Sequence, residues 1–224
     1  MIAIATKKNK NAPEAPRLPE PYALADTQVE DGEMQDRMPF ESCRFVPGTI
    51  ANQAADKVLF DGVAFDRVVF DNVALERAEL VDVVFDRCDL SNVVFRDAVL
   101  HRVEFKHCKM LGLDLSTTTM RNVKFEACNG QYSVYRFADM KQVAYLDGNF
   151  DKADFYEAQL SQVEFARCEL DQAQFVGAKL KGIDLSSCEF QTIGATLEGL
   201  QGCIVRSDQL SGLAHLLGLV IKNE

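Results

Sequence analysis

The strongest constraint on this 224-residue chain is a five-residue repeat of large apolar side chains. From Phe60 to Phe190 nearly every position divisible by five holds Phe, Leu, Met or Tyr, and a smaller apolar residue usually stands two positions before it. The other three positions of each pentad are mostly polar. This period fits neither an α-helix, which repeats at about 3.6 residues, nor a flat strand, which repeats at about two. Each pentad is therefore predicted to form one side of a coil and to turn a corner.

A second period, of twenty residues, indicates how many sides close one coil. Aromatic residues recur at this spacing from Phe65 to Phe165, and cysteines do so from Cys88 to Cys188, with Gly148 in the one gap. Because residues stacked on the same face should resemble one another, four pentads are predicted to make one coil. Coils stacked about 4.8 Å apart would give residues 56–205 a length of roughly 36 Å. The sequence thus predicts an all-β, four-sided solenoid.

Several pentads resemble a known consensus. The segments 88–92 (CDLSN), 153–157 (ADFYE) and 183–187 (IDLSS) are similar to the repeats of pentapeptide-repeat proteins. This resemblance covers about two thirds of the chain. It implies that residues 36–205 form a right-handed quadrilateral β-helix, regular from about residue 56. Pro47, Gly48, Gln53 and Ala55 weaken the frame before that point, so an irregular first coil or two is expected.

The two ends of the chain lie outside the repeat. Residues 1–35 are rich in proline and lack periodicity, which predicts a disordered tail. Residues 206–224 are predicted to form a short capping and dimerisation α-helix with a tail, beginning after Ser207 as N-cap and ending at Gly218. Its apolar face would pack against the last coil, against a second copy of the chain, or against both. The residues predicted for the dimer interface are Leu210, Leu213, Ala214 and Leu217.

An irregularity interrupts the repeat at residues 129–133, where Gly130 takes an inward position. The simplest account is a bulge or a local loop in the wall, with Tyr132 or Phe137 covering the gap. A contact platform halfway along the rod is the functional alternative.

No group of residues predicts catalysis. The three histidines, His101, His107 and His215, lack a partner that the spacing would fix, and no nucleotide-binding, zinc-protease or serine-hydrolase motif is present. The seven cysteines include no CxxC pair and are predicted to be reduced, buried thiols. We therefore expect a non-enzyme without cofactor or metal. Because the chain starts without a secretory signal and has no long apolar stretch, we expect a cytoplasmic protein that does not enter membranes.

Charge is the remaining guide to function. The net charge of -10 disfavours direct binding to nucleic acid, which requires clustered Lys and Arg. Residues 56–100 carry 10 acidic and 5 basic side chains, residues 101–140 carry 4 and 6, and residues 141–205 carry 10 and 5. Two acidic zones thus flank a slightly basic middle. The acidic residues predicted to bind a partner are Asp61, Asp66, Asp71, Glu76, Asp82, Asp86, Asp89, Asp147, Asp151, Asp154, Glu157, Glu164, Glu169 and Asp171.

The carboxy-terminal segments 209–210 and 217–221 resemble those of the gyrase-protecting subgroup of the family, the quinolone-resistance and albicidin-resistance pentapeptide proteins. This resemblance implies a homodimer joined by the terminal helix. It also implies an acidic rod that imitates duplex DNA in DNA gyrase or topoisomerase IV and confers resistance to topoisomerase inhibitors. The alternative is a general scaffold, whose flat faces present polar side chains to a protein unrelated to topoisomerases.

Overall fold

The pentads stack into a β-solenoid in a computed structural model of the chain, which describes residues 12–19 and 24–220. All of its strand pairs are parallel, and one long sheet and one two-stranded sheet run along the wall. The strands are β1 (Ala25–Thr27), β2 (Pro39–Glu41), β3 (Cys43–Phe45), β4 (Gly48–Asp56), β5 (Leu59–Asp61), β6 (Ala64–Asp66), β7 (Val68–Glu76), β8 (Glu79–Asp86), β9 (Val99–Lys106), β10 (Thr119–Glu126), β11 (Asp139–Leu146) and β12 (Gln159–Ala166).

The register of these strands confirms the predicted coil of twenty residues. Phe85 of β8 pairs with Phe105 of β9, which pairs in turn with Phe125 of β10. The three rings stack in one column with centroids 4.8 Å apart and interplanar angles of 1° and 7°. The sequence repeat is therefore a packing repeat, and columns of like side chains fill the core.

A left-handed backbone conformation turns the corners. Most of the residues with positive φ stand two positions after the central apolar residue of a pentad, as do Arg87 (φ 53°) and Asn92 (φ 59°). This region of φ is uncommon for residues other than glycine, and here it recurs along the solenoid. The polar positions of the pentad thus supply both the corner and the outer surface.

The cysteine column lies inside the wall, as predicted. Cys88, Cys108 and Cys128 are buried, and each Sγ donates a hydrogen bond to a carbonyl of the preceding coil. The donor–acceptor distances are 3.4, 3.5 and 3.4 Å. These thiols therefore serve as small core groups that also satisfy a backbone acceptor.

The prediction of a bulge or loop around Gly130 is wrong. The Gly130 amide donates to the Asn149 carbonyl at 2.7 Å, and the wall continues in register. The ring of Phe150 fills the space, since a Cβ at Gly130 would lie 2.6 Å from it. Tyr132 and Phe137 cover no gap, because they are 54% and 51% exposed. A large side chain in the next coil, rather than a loop, accounts for the glycine.

The amino-terminal prediction also needs correction. Strand β1 pairs with β3, and β4 pairs with β7 residue by residue, so coils are formed well before residue 56. The described parts of the expected tail, residues 12–19 and 24–35, lie on the solenoid through hydrogen bonds and strand pairing. Residues 1–11 and 20–23 are outside the described part of the chain.

Two buried glutamines close the ends of the coil stack. Gln53 is 1% exposed; its side-chain oxygen accepts the Met34 amide at 2.9 Å, and its nitrogen donates to the carbonyls of Glu30 and Ala51. At the other end Gln209 is 4% exposed, accepts the Arg206 amide at 2.8 Å and donates to two carbonyls of the last coils. Each amide group thus satisfies backbone groups that the next coil would otherwise bind.

The carboxy-terminal helix is shorter than the sequence predicts. It consists of α1 (Leu210–Leu213) followed by a 3-10 helix (Ala214–Leu217), and Gly218 ends it in the left-handed conformation with φ 68°. Ser207 is not the N-cap as expected, because Gln209 holds that position without a side-chain capping bond. The terminating glycine was predicted correctly, but the start of the helix was not.

Candidate functional site

The outer surface has four faces, one for each pentad of a coil. We name each face after the central inward residue of its pentad in one representative coil, residues 100–115. The surface of each face is formed by the residue one position before the central residue and by the residues one and two positions after it, all of which point outward. Residues twenty apart share a face. The faces are the Leu100 face, the Phe105 face, the Met110 face and the Leu115 face.

The predicted acidic residues are spread over all four faces. The Leu100 face holds Asp61 and Asp82; the Phe105 face holds Asp66, Asp86, Asp147 and Glu164; the Met110 face holds Asp71, Asp89, Asp151, Glu169 and Asp171; and the Leu115 face holds Glu76, Asp154 and Glu157. The two acidic zones of the sequence are therefore belts around the rod rather than one surface.

Ion pairs neutralise several of these carboxylates. The pairs within 4 Å are Asp66–Arg67, Asp82–Arg102, Asp86–Arg87, Asp89–Lys109, Asp147–Arg167 and Asp154–Arg136. Most of them are solvent-exposed and contribute little to stability. Their effect on function is larger, because a carboxylate that already has a cationic partner attracts a basic protein less.

The carboxy-terminal part of the Met110 face is different. We call Asp151, Glu169 and Asp171 the acidic patch. In the described part of the chain no Lys or Arg forms an ion pair with any of the three. One carboxylate oxygen of Asp151 accepts the Asp171 amide at 2.7 Å, and the side chain of Asn149 bonds to Glu169. The hydrogen bonds that fix the patch thus come from neutral donors. Lys152 interacts electrostatically with Asp151 and Asp171, but its Nζ donates to the Tyr132 hydroxyl at 3.0 Å and forms no ion pair with them.

Asp171 is held the most firmly of the three. Its Oδ1 accepts the amides of Gln191 and Thr192, each at 2.9 Å. Although desolvation acts to raise the pKa of Asp171, the Thr192 amide, the Gln172 side chain and the Gln191 amide together hold it below its usual value. The carboxylate therefore stays charged at neutral pH.

The carboxy-terminal half of the rod has one acidic and one basic face. Between Thr49 and Thr192 the outward positions of the Met110 face hold six carboxylates and two lysines. Over the same coils the Leu100 face, on the opposite side, carries five bases and four acids, and it is clearly basic only from His101 onward. The bases are Arg102, Arg121, Lys141, Lys179 and Lys181, and the acids are Asp61, Glu79, Asp82 and Asp139. Counting charge along the chain averaged these faces and missed the asymmetry. Counting it by position within the twenty-residue coil would have found it.

An apolar patch lies on the Leu115 face. Phe137 is 51%, Tyr156 36% and Leu197 52% exposed, and the rings of Phe137 and Tyr156 meet edge to face at 5.6 Å. Exposed aromatic side chains grouped in this way are typical of protein-binding surfaces. The pentad pattern predicts Phe137 only as cover for a gap and does not predict this patch.

The residues predicted for a dimer interface separate into two groups. Leu210 and Leu217 are 56% and 60% exposed, whereas Ala214 is buried and Leu213 packs against the core. Leu219 and Val220 extend the exposed apolar surface. The helix thus covers the last coil with one side and presents the other outward.

Comparison with known proteins assigns the family. The sequence matches the profile of the pentapeptide repeat region over residues 98–175 and that of eight copies of the pentapeptide repeat over residues 59–97. A relative from Bacillus subtilis (strain 168), the uncharacterized protein YisX, is 44% identical over 217 residues, which cover 95% of this chain and 99% of that protein.

Similarity to solved structures is low in sequence identity and in TM-score. HetL of Nostoc sp. strain PCC 7120, a pentapeptide-repeat protein described as involved in the regulation of heterocyst differentiation, is 16% identical with a TM-score of 0.37 and covers 79% of this chain and 88% of its own. A trypsin-treated form of QnrB1, a plasmid-mediated fluoroquinolone resistance protein, is 18% identical with a TM-score of 0.34. The match covers 83% of this chain and 99% of the QnrB1 chain. In the described part of this chain no helix has the length and apolarity needed to cross a bilayer. The chain belongs to the pentapeptide-repeat protein family.

Proposed function

We propose that the protein is a non-catalytic binding rod whose Met110 face occupies the basic, DNA-binding groove of another protein in the cytoplasm. The observation that carries this proposal is the acidic patch, in which three carboxylates without cationic partners among the described residues stand on one flat face. Together with Glu189, which pairs with Arg206 at 3.1 Å, they lie within two coil spacings of 4.8 Å each. Duplex DNA presents about six charges over such a length, so the patch is weaker than DNA but comparable to it.

Rigidity supports the same proposal. The carboxylates of Asp151 and Asp171 are fixed by backbone amides of the wall, so they lose little conformational freedom when a partner binds. Fixed charges on one face also steer the approach of a basic partner and set its orientation. The part of the Leu100 face from His101 onward, where bases exceed acids, would point away from that partner.

DNA gyrase and topoisomerase IV are the partners we propose, with protection from topoisomerase inhibitors as the biological result. The test is a supercoiling assay with purified enzyme, with and without a quinolone. We expect a dose-dependent effect of the protein on gyrase. The triple variant Asp151→Asn, Glu169→Gln and Asp171→Asn should need on the order of a hundred-fold more protein for the same effect, because it loses three charged contacts that contribute on the order of 1 kcal/mol each.

The matched control changes the same net charge on another face. The variant Asp66→Asn, Asp86→Asn and Asp147→Asn removes three carboxylates that already have arginine partners. It should act like the unaltered protein. Equal loss in both variants would show that only net charge matters, and indifference of both enzymes would remove topoisomerases as partners.

We propose that the exposed side of the terminal helix joins two copies of the chain. Replacing both Leu210 and Leu217 by Asp should convert a dimer into a monomer, because each change places a charge in an apolar contact. The mass is measured by light scattering. Leu59→Asp, at a 38% exposed position near the other end, is the control and should leave the mass unchanged. A dimer that survives the double substitution contradicts the proposal.

A general scaffold is the second candidate function, and the apolar patch of Phe137, Tyr156 and Leu197 favours it. In that case the contact lies on the Leu115 face and does not depend on carboxylates. The triple variant of the acidic patch would then bind its partner as the unaltered protein does, while Phe137→Ser with Tyr156→Ser would not bind.

A further inference from the structure

A short proline-rich segment lies along one corner of the solenoid, next to the Leu100 face. Residues 12–19 run across successive coils toward the amino-terminal end of the rod. The Glu14 amide donates to Asn122 Oδ1 at 3.0 Å, and the Arg17 amide donates to Asp82 Oδ1 at 2.8 Å. Pro19 lies beside the next coil, with its Cδ 3.6 Å from the position that a Cβ on Gly62 would take. The segment therefore contacts the same corner position in several coils.

The sequence of this segment has the period of a polyproline-II helix. Pro13, Pro16 and Pro19 are spaced by three residues and are half-buried, as is Leu18, whereas Glu14, Ala15 and Arg17 are exposed. A polyproline-II helix has three residues per turn and rises about 3.1 Å per residue, so one turn advances about 9.3 Å. Two coils of this solenoid advance twice 4.8 Å. A segment in this conformation would therefore advance by one turn over two coils of the wall.

This match explains why the hydrogen bonds recur. A polyproline-II backbone makes no internal hydrogen bonds, so its amides need outside acceptors. Residues 14 and 17 are one turn apart, and their acceptors on Asn122 and Asp82 are two coils apart. Glu14 and Arg17, which follow the first two prolines, thus bond to equivalent corner positions.

The wall side of this contact is a built site. Asp82 and Asn122 occupy outward corner positions, yet they are 8% and 9% exposed. The Arg102 guanidinium, one coil from each, donates two hydrogen bonds of 2.6 Å to Asp82 and holds its carboxylate in place. We define the corner groove as Gly62, Asp82, Arg102 and Asn122.

We propose that the corner groove is a recognition site for polyproline-II segments, with residues 12–19 as its resident ligand. Its ligands are peptides of the form Pro-x-x-Pro-x-x-Pro in which the residue after each of the first two prolines has a free amide N–H. A proline at either of those positions prevents the hydrogen bond and so excludes the peptide. This specificity follows from backbone spacing and does not require particular side chains.

The resident segment competes with any free peptide. Only residues 20–23 separate Pro19 from Leu24, and a linker of this length gives a tethered ligand an effective concentration on the order of millimolar. A free peptide will therefore bind in place of the resident segment only when the resident contact is weakened.

The test weakens that contact in the full-length chain without changing its backbone shape. Glu14→Pro with Arg17→Pro removes both donor amides and keeps φ in the polyproline-II range. Ala15→Pro with Leu18→Pro is the matched control, because neither of those amides is hydrogen-bonded within the described residues. The probe is a fluorescent peptide with the sequence of residues 12–19, APEAPRLP, and its binding is followed by anisotropy.

The donor-less variant should bind the probe at least about ten-fold more tightly than the unaltered chain or the control, since two hydrogen bonds of the competitor are lost. A second probe, APPAPPLP, lacks both amides and should not bind. Equal binding of the two probes, or equal binding by the two variants, including no binding by either, would overturn the proposal. In the unaltered chain, hydrogen exchange should be slower at the Glu14 and Arg17 amides than at those of Ala15 and Leu18; equal rates would also overturn it.

Discussion

Replacing Phe105 by Asp should unfold the central coils. Phe105 is 0% exposed and stacks between Phe85 and Phe125 at 4.8 Å on both sides. Removing a buried Phe side chain costs about 3–5 kcal/mol, and an unpaired charge at the same place adds several kcal/mol more. The sum is comparable to the whole stability of a typical domain, which is about 5–15 kcal/mol. Circular dichroism during urea titration measures the loss.

A control on the same strand separates burial from the mere addition of charge. Val99 also belongs to β9 but is 43% exposed, so Val99→Asp should shift the urea midpoint little. Phe105→Leu, which keeps an apolar side chain, should fall between the two. A Phe105→Asp protein as stable as the unaltered chain would mean that this side chain does not lie in the core.

Replacing Gly148 by Cys should strongly destabilise the protein, although cysteine stands at this position in the neighbouring coils. A Cβ at Gly148 would lie 2.7 Å from the ring of Phe150 and 2.8 Å from the carbonyl oxygen of Cys128. Overpacking of this kind costs about 1–3 kcal/mol and occasionally more. The free energy of unfolding in urea, compared with that of the unaltered chain, gives the magnitude.

The same prediction includes its own partial rescue. Cys88 is followed two positions later by Leu90, and Cys168 by Leu170. Cys188 precedes a phenylalanine, Phe190, but that ring is only partly buried. The column thus accepts cysteine where no fully buried ring stands at the centre of the next face. Adding Phe150→Leu to the Gly148→Cys chain should therefore recover part of the stability, and the two changes should be non-additive. Additive losses would show that the Phe150 ring is not the obstacle.

The sequence predicted the architecture because the five-residue and twenty-residue periods are both direct consequences of packing. Phe85 and Phe105 are twenty apart in sequence and neighbours in space, so a reader of the sequence can count the coils. The bulge at Gly130 was a wrong prediction for a related reason. The side chain that fills the space beside Gly130 is that of Phe150, which belongs to the next coil. The five-residue period alone does not indicate which side chains pack between neighbouring coils.

The surface was harder to predict because three outward positions of each pentad carry little constraint. Along the chain Asp151 and Asp154 look alike, yet Asp154 has an arginine partner and lies on a different face. The amino-terminal segment escaped notice because the signal sought was a period of five. Its prolines recur at three, and that spacing, visible at Pro13, Pro16 and Pro19, was the available signal.

The buried amide side chains of Gln53 and Gln209 also have a consequence for how copies of the chain meet. A parallel β-stack normally offers a template at each end, and an incoming strand could extend it into a fibre. Here an approaching molecule would first have to break three hydrogen bonds at either terminus. Extension of the β-stack by strand addition is thereby opposed, so two copies that meet at the carboxy-terminal end would do so through helix side chains rather than through a continued sheet.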